Sequence, residues 1–372
     1  MRILVLNPGS SSLKGSLIEL PGQRTLASDE VDWGTDATAA HVDRRGGISS
    51  LVGGLLGSAA ADAVGYRVVH GGSTFREPTL IDDEVVRAVE DLAPLAPLHN
   101  AVAAETIRAA RQLLPALPHA ACFDTAFHAS IPEEAWRYPL PADWVEAHGL
   151  RRYGFHGLSV EWSVRRAGDL LGRPARDQGL VVAHLGSGCS VTAVAGGRSV
   201  DTSMGFTPLE GLMMGSRAGS VDPGILLHLL RAGVDVDELA EGLDHRSGLL
   251  GVSGTTGSAR ELEEAAADGD PRARLALSMF ARRAAAGIAA AAPALSRLDA
   301  LVFTGGVGEN SAAIRADITR RLAVLGVPRV GADASEDAVL TGPDAQVAVL
   351  RIEAREDLAI AHEVAGLLGA SA

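Results

Sequence analysis

Two stretches of the chain carry one design. The first runs from Ile3-Leu4-Val5-Leu6 through Asn7-Pro8-Gly9-Ser10-Ser11-Ser12 into Leu13 to Leu20. The second runs from Leu180-Val181-Val182-Ala183 through His184-Leu185-Gly186-Ser187-Gly188-Cys189-Ser190 into Val191 to Val194. An apolar strand, a Gly/Ser turn and a second apolar strand read as a β-hairpin. Its turn offers backbone N–H groups and hydroxyls in a small concavity, a shape that suits phosphate oxygens. One such turn is a weak signal. Two, each opening one half of the chain, point to a duplicated α/β fold that grips a polyphosphate between its halves.

The rest of the chain is consistent with that frame. At 372 residues it is too long for one ordinary core, so two domains are expected. The aromatic share is only 4%, which leaves Ala, Val and Leu to fill the core. A net charge of −13 argues against nucleic acid or an anionic membrane as partner, while leaving room for a small anion held by local arginines. The two cysteines, Cys122 and Cys189, do not read as a disulfide framework, and a cytoplasmic setting is the simpler expectation. No signal peptide is legible at the N-terminus, and the Ala-rich run from Ala284 to Ala292 reads as too short to span a bilayer.

Strands are expected at Val64–Val69, Ala120–Phe123, Leu301–Phe303 and Val347–Ile352. Helices are expected at Asp82–Leu92, Ala101–Leu114, Ser159–Leu171, about 258–296, from near Ser311, and at Asp357–Leu368. Strands alternating with helices argue for sheets covered by helices. Residues 21–60 read as polar and weakly periodic, residues 131–150 as an irregular segment between two halves, and residues 200–224 as a loop long enough to be functional.

Several motifs carry more than a turn needs. Three serines and Lys14 follow Asn7-Pro8-Gly9, without the spacing of a Walker loop. Arg67 precedes His70-Gly71-Gly72, which is like an esterase oxyanion loop, but no Gly-x-Ser-x-Gly elbow supplies a nucleophile. Asp124 sits at an expected strand end, where α/β sheets place ligand groups, although a helix-capping role reads as well. His156 lies between Gly154 and Gly157, which leaves room for a ligand to approach. Arg217 stands amid small residues, so an anion is a plausible partner. Gly305-Gly306-Val307-Gly308-Glu309-Asn310 after a strand resembles a nucleotide-contacting turn. No His, Cys or carboxylate cluster has zinc spacing, so any metal is expected to be the Mg²⁺ that accompanies a nucleotide.

Taken together, these motifs resemble the acetokinase family of carboxylate kinases over nearly the whole chain. The matching signatures are Leu6 to Lys14, Arg67 to Gly72, Pro97-Leu98-His99-Asn100, Phe123 to His128, Tyr153 to Gly157, His184 to Gly188, Thr202 to Gly219 and Phe303 to Ser311. The resemblance implies an α/β fold of two duplicated ribonuclease H-like domains, of the sugar kinase, Hsp70 and actin type, around a nucleotide cleft. It implies domains at 1–148 plus 358–372 and at 149–357, and a homodimer. By position, Asn7 and Glu356 would help hold Mg²⁺, with Mn²⁺ as a substitute, and Ser10, Ser12 and Lys14 would lie near the phosphates. Arg67 would bind the substrate carboxylate or phosphoryl group, Asp124 would be the active-site acid, and His156 and Arg217 would stabilise the transition state. His184, Leu185, Gly186, Ser187 and Gly188 would contact ATP, as would Ser258, Ala259 and Arg260 and the run Gly306, Val307, Gly308, Glu309 and Asn310. Val69, Leu98, Phe155 and Pro208 would line the pocket for an acyl methyl group.

The chain departs from the family pattern at Ser187, where Asn is usual, at Ser258-Ala259-Arg260 in place of Asp-Phe-Arg, and at Ala354 to Leu358 in place of Thr-Asn-Glu-Glu-Leu, with Glu356 retained. Residues 21–60 are also fewer than usual. The implied reaction takes ATP and acetate to ADP and acetyl phosphate, reversibly. A carboxylic acid with a pKa near ~4–5 is already an anion at neutral pH, so no general base is required. Asp124 is then expected to orient Mg²⁺ or its waters, or to position the phosphoryl group. A propionate or butyrate kinase is the nearest rival, and a nucleotide or polyphosphate hydrolase on the same fold is the rival from another class.

Overall fold

The computed structural model describes residues 1–9, 12–34, 43–57, 59–331 and 334–370. In chain order its elements are β1 (Arg2–Pro8), β2 (Ser12–Glu19), β3 (Arg24–Asp32), α1 (Arg44–Leu56), β4 (Ala63–Val68), β5 (Thr79–Leu80), α2 (Asp83–Asp91), α3 (Pro97–Leu113) and β6 (His119–Phe123). There follow α4 (Glu133–Trp136), α5 (Ala142–His148), α6 (Gly157–Leu171), β7 (Gly179–Leu185), β8 (Cys189–Ala195), β9 (Arg198–Thr202), α7 (Pro223–Arg231), α8 (Val236–His245), α9 (Gly248–Ser253) and α10 (Ala259–Ala267). The chain closes with α11 (Pro271–Ala291), β10 (Ala300–Thr304), α12 (Gly305–Asn310), α13 (Ala312–Arg321), β11 (Ala338–Val339), β12 (Ala348–Arg351) and α14 (Glu356–Leu367). Two units divide these elements. Unit 1 comprises Met1–Ala129, Phe155–Trp162 and Arg355–Ala372, and unit 2 comprises Ser130–Gly154 and Ser163–Ala354.

Each unit is built on a six-stranded sheet, and the two sheets follow one plan. In unit 1 the order is β3-β2-β1-β4-β6-β5, and in unit 2, read the same way, it is β9-β8-β7-β10-β12-β11. Both start from an antiparallel hairpin, β1 with β2 and β7 with β8. In each, the hairpin's first strand then pairs in parallel with the next, which pairs in parallel with a third, and a short antiparallel strand closes the edge. The central strands are continuous apolar runs because helices cover both faces of a parallel sheet. The duplication expected from the two hairpins is thus the architecture itself. The turns are tighter than the sequence suggests: Asn7 and Pro8 pair within the first ladder, and His184 and Leu185 within the second.

In unit 1, α1 and α3 bury one face of the sheet with Leu4, Leu6, Leu13, Tyr66 and Phe123. The other face takes α14, through Leu358, Ile360, Ala361 and Val364. Gly65 sits in the middle of β4 because a Cβ there would lie 2.6 Å from Ile360 and 2.8 Å from Val364. Strand alternation places Ile3, Val5, Asn7, Arg67, Cys122 and Asp124 on this α14 face.

In unit 2 the central helix is α11, whose buried side is mostly alanine, so it packs closely on β8, α9, α10 and α13. The Ala-rich run is therefore the C-terminal part of a 21-residue helix. The helical stretch Pro271–Ala294 has the length and hydropathy to cross a membrane, but it serves here as a core helix of its unit. The expected helix over 258–296 breaks at residues 268–270, where Asp270 caps α11 by accepting from Arg272 N–H at 2.7 Å. Two elements that residues 21–60 did not announce, β3 and α1, are present.

Candidate active site

Asn7 stands one residue before the end of β1, Arg67 one residue before the end of β4, and Asp124 directly follows β6. These three strands are neighbours and parallel, so their C-terminal ends bring the side chains together, which is where α/β sheets carry ligand groups. Arg67 Nη2 lies 2.6 Å from Asp124 Oδ2, and Nε donates to both carboxylate oxygens at 3.1 and 3.2 Å. Arg67 Nη1 donates to Asn7 Oδ1 at 3.3 Å and lies 3.6 Å from Glu356 Oε2. Asn7 Nδ2 closes the ring by donating to Glu356 Oε2 at 2.8 Å. Asp124 is therefore a partner of Arg67 rather than a helix cap.

Burial dominates the electrostatics here. It works to lower the Arg67 pKa, but the Asp124 and Glu356 charges outweigh it and hold the guanidinium firmly protonated. Burial, with the Glu356 charge behind it, pushes the Asp124 carboxyl up to about 6, against the pull of Arg67.

His156 stands just before α6 with φ of 61°, in the left-handed region that few non-glycine residues adopt. The reason lies next to it. Gly157 N–H donates to Asp124 O at 2.9 Å, and a Cβ on Gly157 would fall 2.2 Å from that oxygen. The sequence reading gave this glycine to an approaching ligand, but what approaches is the backbone of Asp124. Val69 and Phe155 are both buried in unit 1. Phe155 makes an edge contact with His70 at 5.4 Å, and its carbonyl accepts from His128 Nε2 at 3.0 Å. Burial pushes His128 down to about 4, so the ring is neutral and can serve as a fixed donor. Asn100, at the end of Pro97-Leu98-His99-Asn100, clamps the His70 backbone by accepting from its N–H at 3.1 Å and donating to its carbonyl at 2.9 Å. Lys14 pairs with Asn7 across the hairpin and is exposed, and Ser12 opens β2 with its carbonyl accepting from Gly9 N–H at 2.8 Å. Ser10 lies outside the described residues, as does the side chain of Leu98.

Unit 2 holds a different kind of site, a cavity of about 680 Å³. Gly186, Ser187, Ser258, Ala259, Arg260, Gly306, Val307 and Asn310 line it, as expected. Gly215, Ser216, Leu249, Gly257, Glu263 and Ser311 also line it, and of these only the Gly/Ser-rich composition of 200–224 gave any signal. His184, Leu185, Gly188, Gly308 and Glu309 do not line it. Leu185 is a core residue. Gly305 to Asn310 forms a short helix rather than a turn, and Glu309 points away from the cavity. Its Oε1 accepts from Ala354 N–H at 2.8 Å, and its Oε2 lies 3.9 Å from Arg351. Buried Arg315 holds the same helix by donating to the carbonyls of Gly308 and Glu309 at 2.9 and 2.8 Å. His184 pairs with Ser190 in the hairpin ladder. Arg217 follows Ser216 in the long loop, with Nε 3.9 Å from Asp244. Burial works to lower its pKa, and Asp244 opposes this. Pro208 lies half-buried in the same loop.

A basic and acidic cluster at parallel strand ends, and a glycine-lined cavity on a duplicated sheet plan, define a phosphotransferase of the sugar kinase, Hsp70 and actin fold. Residues 2–362 match the acetokinase family, and the chain belongs to it. It is 48% identical to the acetate kinase of a Synechococcus species, with 99% of each chain covered. Among solved structures it resembles the acetate kinase of Porphyromonas gingivalis, at 35% identity and a TM-score of 0.88 with 99% of both chains covered. It also resembles a propionate kinase of Francisella tularensis, at 36% identity and a TM-score of 0.86 with 97% and 98% covered.

Proposed function

We propose that the chain catalyses the acetate kinase reaction, reversible transfer of the γ-phosphoryl group of ATP to acetate, giving acetyl phosphate and ADP. The observation that carries this reading is Arg67. It is a half-buried guanidinium whose fork is already engaged by a carboxylate, Asp124, at the strand ends of unit 1, where Val69 and Phe155 are also buried. A substrate carboxylate or phosphoryl group presents the same pair of oxygens to that fork. Acetate is an anion at neutral pH and attacks without a general base, so the protein's task is to cancel repulsion between two anions.

In this reading Arg67 orients the acceptor, while His156 and Arg217 supply donors to the transferring group. Lys14, Ser10 and Ser12 serve the phosphates, and the unit 2 cavity takes the nucleotide. Val69, Leu98, Phe155 and Pro208 limit the acyl chain. Asn7 Oδ1 and the Glu356 carboxylate fit Mg²⁺, which favours a few oxygen ligands and keeps several waters. Bound there, the ion would neutralise charge on the leaving phosphate. Asp124 holds Arg67 in place from the other side. A homodimer and a cytoplasmic setting belong to the same proposal. The dimer is favoured by α7, which buries no side chain and exposes Ile225, Leu227 and Leu230.

The test is trapping of acyl phosphate with hydroxylamine in the presence of ATP, Mg²⁺ and acetate. Carboxylate-dependent hydroxamate is expected. Phosphate release from ATP that is indifferent to any carboxylate would instead make the chain a hydrolase. The likeness to a propionate kinase favours one second reading. One methylene is worth only about 1–3 kcal/mol, so propionate should be a weaker substrate rather than an excluded one. A kcat/KM for propionate or butyrate above that for acetate would move the assignment to that acid.

A further inference from the structure

Unit 1 holds a second, half-buried group of acids that the chemistry above does not use. Glu363 stands two helical turns after Glu356 on the same face of α14. Cys122 stands two residues before Asp124, on the same face of the sheet. Glu161 lies on α6, just beyond His156. The three side chains meet, because the Glu363 carboxyl hydrogen-bonds with both the Cys122 thiol and the Glu161 carboxyl. Glu363 Oε2 is buried with no donor facing it. A proton held between the two acids supplies that donor and turns a like-charge contact into a hydrogen bond.

We propose that Glu363 is a positioning residue, whose bonds to Cys122 and Glu161 keep in register the three elements that carry Asp124, His156 and Glu356. The proposal rests on the reading of those three residues given above. Its geometry is unusual in joining a strand and two helices at one buried point behind the strand ends.

Burial first, then the Glu161 charge, pushes the Glu363 carboxyl well above the ordinary carboxylate range. The groups facing it are Cys122 from β6, Asp124 just after β6, Glu161 from α6 and, beyond Asp124, Arg67 from β4. The same face of β1 and β2 presents Ile3, Val5 and Asn7 with Ile18, Ser16 and Lys14 opposite them. A group whose folded-state pKa is raised contributes stability below its unfolded value and loses it as pH rises through the folded value. The tie therefore loosens as pH rises, when the second carboxyl ionises.

Two full-length variants test this by steady-state kinetics from mildly acidic to alkaline pH and by thermal unfolding. Glu363→Ala removes the tie and should lower kcat about 10-fold, as loss of an outer-shell partner of a reacting group does, with KM for ATP unchanged. Glu363→Gln keeps a donor and cannot ionise. It should restore kcat at neutral pH, shift the alkaline fall in kcat to higher pH, and raise Tm over the parent at alkaline but not acidic pH. An alkaline limb identical in Glu363→Gln and the parent, or an unaltered kcat in Glu363→Ala, would overturn the proposal. The unfolding comparison reads the acid pair without turnover, so it stands or falls separately from the substrate assignment.

Discussion

Unit 1 packs its candidate site with charge, whereas the cavity of unit 2 is lined mainly by glycine, serine and alanine. Around Arg67 stand Asp124, Glu356 and Asn7, each within hydrogen-bonding or ion-pairing distance and each from a different element. Around the cavity stand Gly186, Gly215, Gly257 and Gly306, with Arg260 and Glu263 as its charged side chains. The two sheets share one strand order, so the contrast does not come from the fold. In the function proposed above, it comes from what each site recognises. A small carboxylate offers little surface and is held by direct ionic partners, while a nucleotide is long and is held by close approach to many backbone groups. A charge cluster should be sensitive to loss of a partner, and a glycine wall to gain of an atom.

Arg217 is the exception in unit 2, a cation whose Nε lies 3.9 Å from the Asp244 carboxylate, and removing it should have the largest effect. Arg217→Ala is expected to lower kcat by roughly 10²–10⁵, the range for an arginine that acts on the transition state, with the unfolding curve little changed. Near-normal kcat would leave unit 2 with no cation in the chemistry. Next comes Arg67→Ala, which leaves buried Asp124 without its cation and beside the half-buried Glu356. Breaking a buried pair costs about 3–5 kcal/mol, so Tm and activity should both fall. Adding Asp124→Asn should recover much of the Tm and none of the activity. Recovery of neither would mean that Arg67 matters to the fold through packing rather than charge.

The sequence made the shared plan of the two units legible because a continuous apolar strand followed by a Gly/Ser turn is a local signal. Arg67 and Asp124 were legible for the same reason, each lying at the end of a buried run. What stayed hidden was set by partners far along the chain. Glu309 looked like part of a nucleotide turn, yet Ala354 and Arg351 draw its carboxylate to the opposite side. Gly157 looked like room for a ligand, yet it makes room for Asp124 O. Asn100 gave no hint that it clamps His70, 30 residues earlier. β3 is almost wholly exposed and lacks alternation, so nothing in residues 24–32 announced it. α1 is different. Ile48, Leu51, Val52 and Leu55 are spaced as one helical face, and its four glycines and serines masked a signal that was present.

The glycine wall can be tested at one atom. A Cβ at residue 257 would lie 2.8 Å from Gly215 O, and both residues line the cavity. Gly257→Ala should therefore force the two segments apart and raise KM for ATP about tenfold, equivalent to about 1.4 kcal/mol, with KM for acetate unchanged. An unchanged KM for ATP would place the nucleotide elsewhere.

The smallest effect should come from Glu309→Gln, which asks whether a residue beside the cavity belongs to it. The amide oxygen can still accept from Ala354 N–H, while the attraction to Arg351 is lost. A stability loss of about 1 kcal/mol is expected, the net worth of one hydrogen-bonding interaction, read as a small drop in Tm. KM for ATP should not move, because the carboxylate faces β12 and the segment after it rather than the cavity. A large rise in KM with no change in Tm would reverse that assignment. It would mean that the helix Gly305–Asn310 turns Glu309 toward the nucleotide on binding, and that unit 2 recruits charge after all.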